Sequence, residues 1–182
     1  MIAFIVGKKL SGKTYYTQRF LERSRKPFIV VDSLVEYKVD SRFDNVQDFI
    51  EAMQNRNDKI KLGNIGLSLP TTDEALEFFA WSWHLNPHIL VIEEFHQYGN
   101  AWGMPTQLDR LFRMGRHRGI DIVGITQRFS DLPQVARTQT DAIIFFQQQG
   151  DRDFVAIEKF ATAELAQRVL KLKPRQHIEY RF

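Results

Sequence analysis

The chain has 182 residues, with 25 Lys and Arg against 22 Asp and Glu, a net charge of +3, no cysteine and 43% hydrophobic residues. That length suits one domain, residues 1–182, with little room for a second core, and the missing cysteines exclude disulfides, thiolate metal sites and cysteine nucleophiles. No apolar run approaches the ~18 residues that span a bilayer, no secretory leader is expected behind Met1, and a charge so close to balance decides nothing about nucleic acid.

Short apolar, β-branched runs alternate with helix-patterned segments, the pattern of βαβ units and of an α/β fold with a mostly parallel central sheet flanked by helices. The first run, Ile2 to Val6, reads as a strand and leads directly into Gly7-Lys8-Lys9-Leu10-Ser11-Gly12-Lys13-Thr14, a full match to the G-x-x-x-x-G-K-S/T phosphate loop (Walker A). Glycines let such a loop curl so that its N–H groups face phosphate oxygens, and the helix expected over Lys13 to Arg23 adds the positive end of its dipole. In this reading Lys13 reaches the β- and γ-phosphates, and the Thr14 hydroxyl takes one coordination position on Mg²⁺.

Further strands are expected at Phe28 to Val31 and, weakly, near Lys59 to Leu62, with a helix over Val46 to Asn55 between them. A helix over Asp73 to Leu85 has Thr71 and Glu74 at capping-box spacing and Pro87 as its stop, and its Phe78, Phe79, Trp81 and Trp83 are assigned to the core. The strand Ile89 to Ile92 runs into Glu93 and Glu94, a Walker B-like segment. Such a strand carries one carboxylate to the metal side, assigned to Glu93, and a second to the attacking water, making Glu94 the general base. In the loop that follows, Trp102 lies near Gly99 and Gly103 and reads either as a pore or interface element or as a buried anchor of its turn. Arg56, Lys59 and Lys61 form a second basic cluster, and neither group is assigned to DNA.

The helix expected over Pro105 to Arg118, closed by Gly119, places Arg113, Arg116 and, less closely, Arg110 on one face while Leu108, Leu111 and Phe112 turn to the core. The strand Ile120 to Thr126 ends in Gln127, which at the carboxyl end of a strand beside a phosphate loop is placed to orient water or sense the γ-phosphate. A strand at Ala142 to Phe146, helices over Asp151 to Phe160 and Ala163 to Leu170, and a strand at Gln176 to Phe182 complete the chain. His84, His88, His96 and His117 have no metal-ligand spacing and read as structural or surface residues.

The phosphate loop, the strand ending Glu93-Glu94-Phe95-His96 and the run GRHRGIDIVGITQR together resemble the HerA/FtsK superfamily of DNA-pumping ATPases. The small size is similar to that of the genome-packaging ATPases of membrane-containing icosahedral viruses, and Asp32 followed by Glu36-Tyr37 resembles that superfamily's second-strand segment. Glu93 stands where Asp is usual and Phe129 where Pro is frequent. The resemblance implies a P-loop NTPase of the ASCE/RecA-like class that binds ATP and Mg²⁺ and self-associates into a ring. It implies an arginine supplied in trans at the subunit interface, with Arg116 first and Arg113 and Arg118 as alternates. It further implies double-stranded DNA, held without sequence preference, as the partner, capsid vertex proteins as further partners, and action in the host cytoplasm or the virion. Two rival functions stay open: a P-loop kinase acting on a nucleoside or metabolite, and a nucleotide-dependent phage assembly protein.

Overall fold

A five-residue strand, β1 (Ile2–Val6), is buried along its whole length because alternate side chains enter different cores: Ile2, Phe4 and Val6 on one face of the sheet, Ala3 and Ile5 on the other. Both faces being covered by helices is the usual setting of parallel strands with continuous apolar runs. In the computed structural model, which describes residues 1–55, 63–69, 71–85, 87–148 and 150–182, the order of elements is β1, α1 (Lys13–Arg23), β2 (Phe28–Val31), β3 (Ser41–Phe43), α2 (Val46–Gln54), β4 (Ile65–Leu67), α3 (Thr72–Ser82), β5 (Ile89–Ile92), α4 (Thr106–Met114), β6 (Asp121–Thr126), α5 (Gln134–Gln139), β7 (Ala142–Phe146), α6 (Asp151–Phe160), α7 (Ala163–Leu170) and β8 (His177–Arg181).

The strands form an eight-stranded sheet ordered β3-β4-β2-β5-β6-β1-β7-β8, parallel throughout except for the antiparallel pairing of β8 on β7. Insertion of β6 between β1 and β5 is what builds the site. The carboxyl ends of these three neighbouring strands carry the phosphate loop, Gln127 and the Glu93-Glu94 pair, in the crevice where open α/β sheets bind ligands. The centre is fixed by Phe4, which stacks on Phe112 at 5.8 Å and meets Phe95 edge-on at 5.0 Å. Its ring lies over Gly124 of β6, where a Cβ would come within 2.3 Å of it.

Local signals fared well where they were strong. Thr71 caps α3 by accepting the Glu74 N–H at 3.2 Å, Gly119 closes the segment before β6, and Phe78 and Phe79 are fully buried, with Trp83 7% exposed. The weak strand expected near Lys59 to Leu62 falls outside the described residues. The sequence does not announce strands β3 and β4 or the helix α5, because three residues are too few to show alternation and six make less than two helical turns. The helix expected over Pro105 to Arg118 is α-helical only to Met114 and tightens into a 3₁₀ turn over Gly115–Arg118. The arginines expected on one face each take a local partner. Arg113 pairs with Asp109 at 2.7 Å, Arg116 with Asp141 at 3.5 Å, and Arg110 and Arg118 lie over the Trp83 ring at 4.3 and 5.2 Å.

Candidate active site

The phosphate loop leaves β1 held on both sides, Gly7 N–H donating to Thr126 O at 3.2 Å and Lys8 N–H to Gln147 O at 2.9 Å. Gly7 is compelled by space, since a Cβ there would lie 2.5 Å from Phe146 Cβ. Leu10 and Gly12 take positive φ values of 62° and 106°, which curl the loop. Helix α1 then starts with no side-chain cap on Gly12 and no acidic residue in its first turn, leaving first-turn N–H groups and the helix dipole to an external anion. The Lys13 ammonium folds back on the loop, donating to Gly7 O at 2.7 Å and Lys8 O at 3.1 Å. Burial pushes its pKa down, and the nearby Glu93, Glu94 and Glu36 carboxylates oppose that shift.

Facing the loop is a concentration of acid. Asp32 ends β2 and spends its carboxylate on the chain that follows, accepting from Leu34 N–H at 3.0 Å, Glu36 N–H at 2.6 Å and Tyr37 N–H at 3.4 Å. That turn seats Tyr37, whose hydroxyl donates to Glu93 Oε1. Burial raises Glu93 to a pKa of about 7; the Tyr37 hydrogen bond opposes the shift, and Asp32, Glu36 and Glu94 add to it. Burial and the Glu93 charge likewise hold the Tyr37 phenol well above its ordinary value. Thr14 Oγ1 donates to Glu36 Oε2 at 3.2 Å.

Glu94 is placed differently. It sits in the left-handed region at φ 45° and ψ 47°, an uncommon conformation for a residue with a side chain. Its carboxylate accepts from Gln127 Nε2 at 3.1 and 3.3 Å, and His96 Nδ1 lies 3.2 Å from its Oε2. Buried and without hydrogen-bond partners beside these groups are the hydroxyls of Ser11 and Thr126.

Phosphate loop, carboxylates and Gln127 line one cavity of about 1200 Å³, which takes in Lys9, Gly12, Lys13, Thr14, Glu36, Glu93 and Glu94 and runs on past Tyr16 to Arg175 and His177. Among the described residues no three His, Asp or Glu side chains converge tightly enough to hold a metal by themselves. Mg²⁺ suits such a place: it takes oxygen ligands, keeps several waters and relies on substrate phosphates. Thr14 and Glu93 fit that need as oxygen donors, in surroundings where Glu36, Glu93 and Glu94 outnumber the half-buried cation Lys13.

Arg113, Arg116 and Arg118 do not line this cavity. Arg116 pairs with Asp141, which precedes β7 and also accepts the Ile2 N–H at 2.7 Å, at the amino end of the strands and remote from the chain's own phosphate loop. Trp102 is 97% exposed at the tip of a tight turn closed by Asn100 and Gly103, so it does not anchor that turn by burial. Arg56, Lys59 and Lys61 lie outside the described residues. Two features escaped the sequence reading. His96 reads from the sequence as structural or surface, yet its Nδ1 lies 3.2 Å from Glu94, two residues before it in the chain. The C-terminal turn at Arg175 carries no motif and nevertheless borders the loop.

The family model for Zonular occludens toxin (Zot) matches residues 1–172. No curated protein matches the chain in sequence. Among solved structures, the genome packaging NTPase B204 from Sulfolobus turreted icosahedral virus 2, in complex with ATP-gammaS, is similar at TM-score 0.79 and 23% identity, covering 99% of this chain and 91% of that one. VirB4 of Thermoanaerobacter pseudethanolicus is similar at TM-score 0.62 and 10% identity, covering 98% and 88%. The N-terminal domain of zonular occludens toxin from Neisseria meningitidis gives TM-score 0.51 and 18% identity, covering 79% and 74%. These likenesses establish a shared P-loop NTPase fold.

Proposed function

The chain belongs to the zonular occludens toxin (Zot) family, and from that premise we propose that residues 1–182 form a single ATPase domain, the subunit of an oligomeric motor that hydrolyses ATP to move double-stranded DNA. The observation that carries the hydrolytic part is the Glu94–Gln127 pair at 3.1 Å, a carboxylate held in the same cavity as a complete phosphate loop. Water attack suits this arrangement better than transfer to a second substrate, because the base is already inside the cavity that receives the phosphates.

The chain's own residues divide the work. The N–H groups opening α1 receive the phosphate oxygens, and Lys13 exchanges its two loop carbonyls for the β- and γ-phosphates. Thr14 and Glu93, with the phosphates, would hold Mg²⁺, which would supply neutralisation of charge on the phosphate oxygens. Gln127 turns one of its N–H bonds from Glu94 to the water or the γ-phosphate. Glu94 then accepts a proton from water as the water oxygen bonds to the γ-phosphorus; the bond from that phosphorus to the bridging oxygen breaks and ADP departs with the electron pair. Arg116 of a neighbouring subunit stabilises the developing charge, with Arg113 and Arg118 as the other candidates.

Similarity in fold to B204, described as a genome packaging NTPase, supports packaging of a viral genome as the task; the proposal sets that task in the host cytoplasm or the virion, with capsid vertex proteins as further partners. Among the described residues no helix is long and apolar enough to cross a membrane. DNA held by its phosphates would bind without sequence preference and release steeply with salt. ATP turnover measured against protein concentration, with and without double-stranded DNA, tests the proposal: turnover should rise with both and vanish in Glu94→Gln. Turnover indifferent to DNA would return the function to the kinase or assembly readings.

A further inference from the structure

The phosphate loop has a second wall that its motif does not contain. After α7 the chain turns at Lys173-Pro174-Arg175-Gln176, with Gln176 N–H donating to Lys173 O at 3.0 Å and Lys173 N–H donating to Gln176 Oε1 at 3.0 Å. Arg175 occupies the third position at φ 68°. After proline that position favours glycine or asparagine, and a longer side chain there carries a local conformational cost. The turn is latched to the loop: Arg175 N–H donates to Ser11 O at 2.9 Å, and its Cα and Cγ stand 3.5 and 3.6 Å from where a Cβ on Gly12 would be.

Strand β8 then begins with His177, whose ring centroid is 4.9 Å from Tyr16 of α1 and 5.3 Å from Phe146 of β7. Because β7 and β8 lie on one side of β1 and β6 and β5 on the other, this aromatic wall is across the loop from Glu94. A triphosphate with its γ end at Glu94 and Gln127 and its chain over the start of α1 brings its base to this wall, within the same continuous cavity.

Resting on the nucleotide reading of the cavity, we infer that Tyr16, His177 and Arg175 form the nucleobase subsite, the base lying on the His177–Tyr16 surface with the Arg175 guanidinium over it. Arg175 and His177 are both exposed, so the subsite has no buried polar pair of the kind that reads a base edge. Recognition is by stacking, which every base supports through its π-face. Adenine and guanine nucleotides are therefore held alike, and the C-terminal turn, outside the motif region, becomes part of the nucleotide site.

The test compares Mg²⁺-ATP, Mg²⁺-GTP and Mg²⁺-tripolyphosphate, which has no base, by calorimetry on the full chain and on His177→Ala, Arg175→Ala and His177→Phe. ATP and GTP should bind the wild type within about threefold of each other, as stacking without edge contacts requires. Both alanine variants should reduce the ratio of ATP to tripolyphosphate affinity by about tenfold while leaving tripolyphosphate binding unchanged, and His177→Phe should preserve the ratio. An unchanged ratio in His177→Ala, an equal fall in both ligands, or a hundredfold preference for one base would overturn the subsite alone. Failure of the wild type to bind either ATP or tripolyphosphate would overturn the nucleotide reading with it.

Discussion

Gln127 at the end of β6 holds both carboxylate oxygens of Glu94 at the end of β5, its Nε2 lying 3.1 Å from one and 3.3 Å from the other. The residues proposed as sensor and base thus form one hydrogen-bonded unit. Glu94→Gln should retain ATP binding while turnover falls about 10²- to 10⁴-fold, the range for loss of a positioned base. Gln127→Ala should lower kcat by about tenfold or more with little change in ATP affinity, since it removes an orienting contact and no binding one. Steady-state kinetics beside equilibrium binding separates the two effects.

Glu93 supplies a pH signature. Its pKa rises in the fold from 4.5 to about 7, so between those values the native state keeps a proton that the unfolded chain has released. Stability from this group therefore declines as pH increases through that window and is level above it. The shift corresponds to about 3 kcal/mol at most. Thermal melts of the nucleotide-free protein from pH 4.5 to 8 should show Glu93→Gln gaining on the wild type as pH rises; a constant difference would disprove the assignment.

A Cβ on Gly7 would lie 2.5 Å from Phe146 Cβ, which leaves no room for a methyl group. Gly7→Ala must move either β7 or the loop. It should lower stability by about 1–3 kcal/mol, or a Tm drop of roughly 2–12 °C for a chain this long, and weaken ATP binding at the same time. Calorimetric melting and nucleotide titration on one preparation check both.

Arg116 and Asp141 are each about half exposed, 52% and 45%, so their pairing contributes little to stability. Arg116→Ala should melt within about 1 °C of the wild type yet lose about 10³-fold in turnover if the arginine serves a neighbour's γ-phosphate. Mixing Arg116→Ala with Glu94→Gln subunits should restore part of the activity, because an intact cavity then meets an intact arginine. Absence of complementation at concentrations where the wild type assembles would count against Arg116, and the same mixture with Arg113→Ala or Arg118→Ala would identify the donor.

The residues Gly7 to Thr14 identified themselves in the sequence, because a phosphate loop is local: its turn, its lysine and its helix start are contiguous. Glu93 and Glu94 were legible for the same reason, at the end of an uninterrupted apolar strand, and so were Thr71 and Gly119 as helix boundaries. What a linear pattern cannot carry is strand order. Only the insertion of β6 between β1 and β5 brought Gln127 onto Glu94, only the fold set Arg116 beside Asp141, and only the antiparallel return of β8 laid Arg175 against Gly12, because each contact joins segments whose separation in the chain is settled by packing of the sheet's two faces and by no local preference.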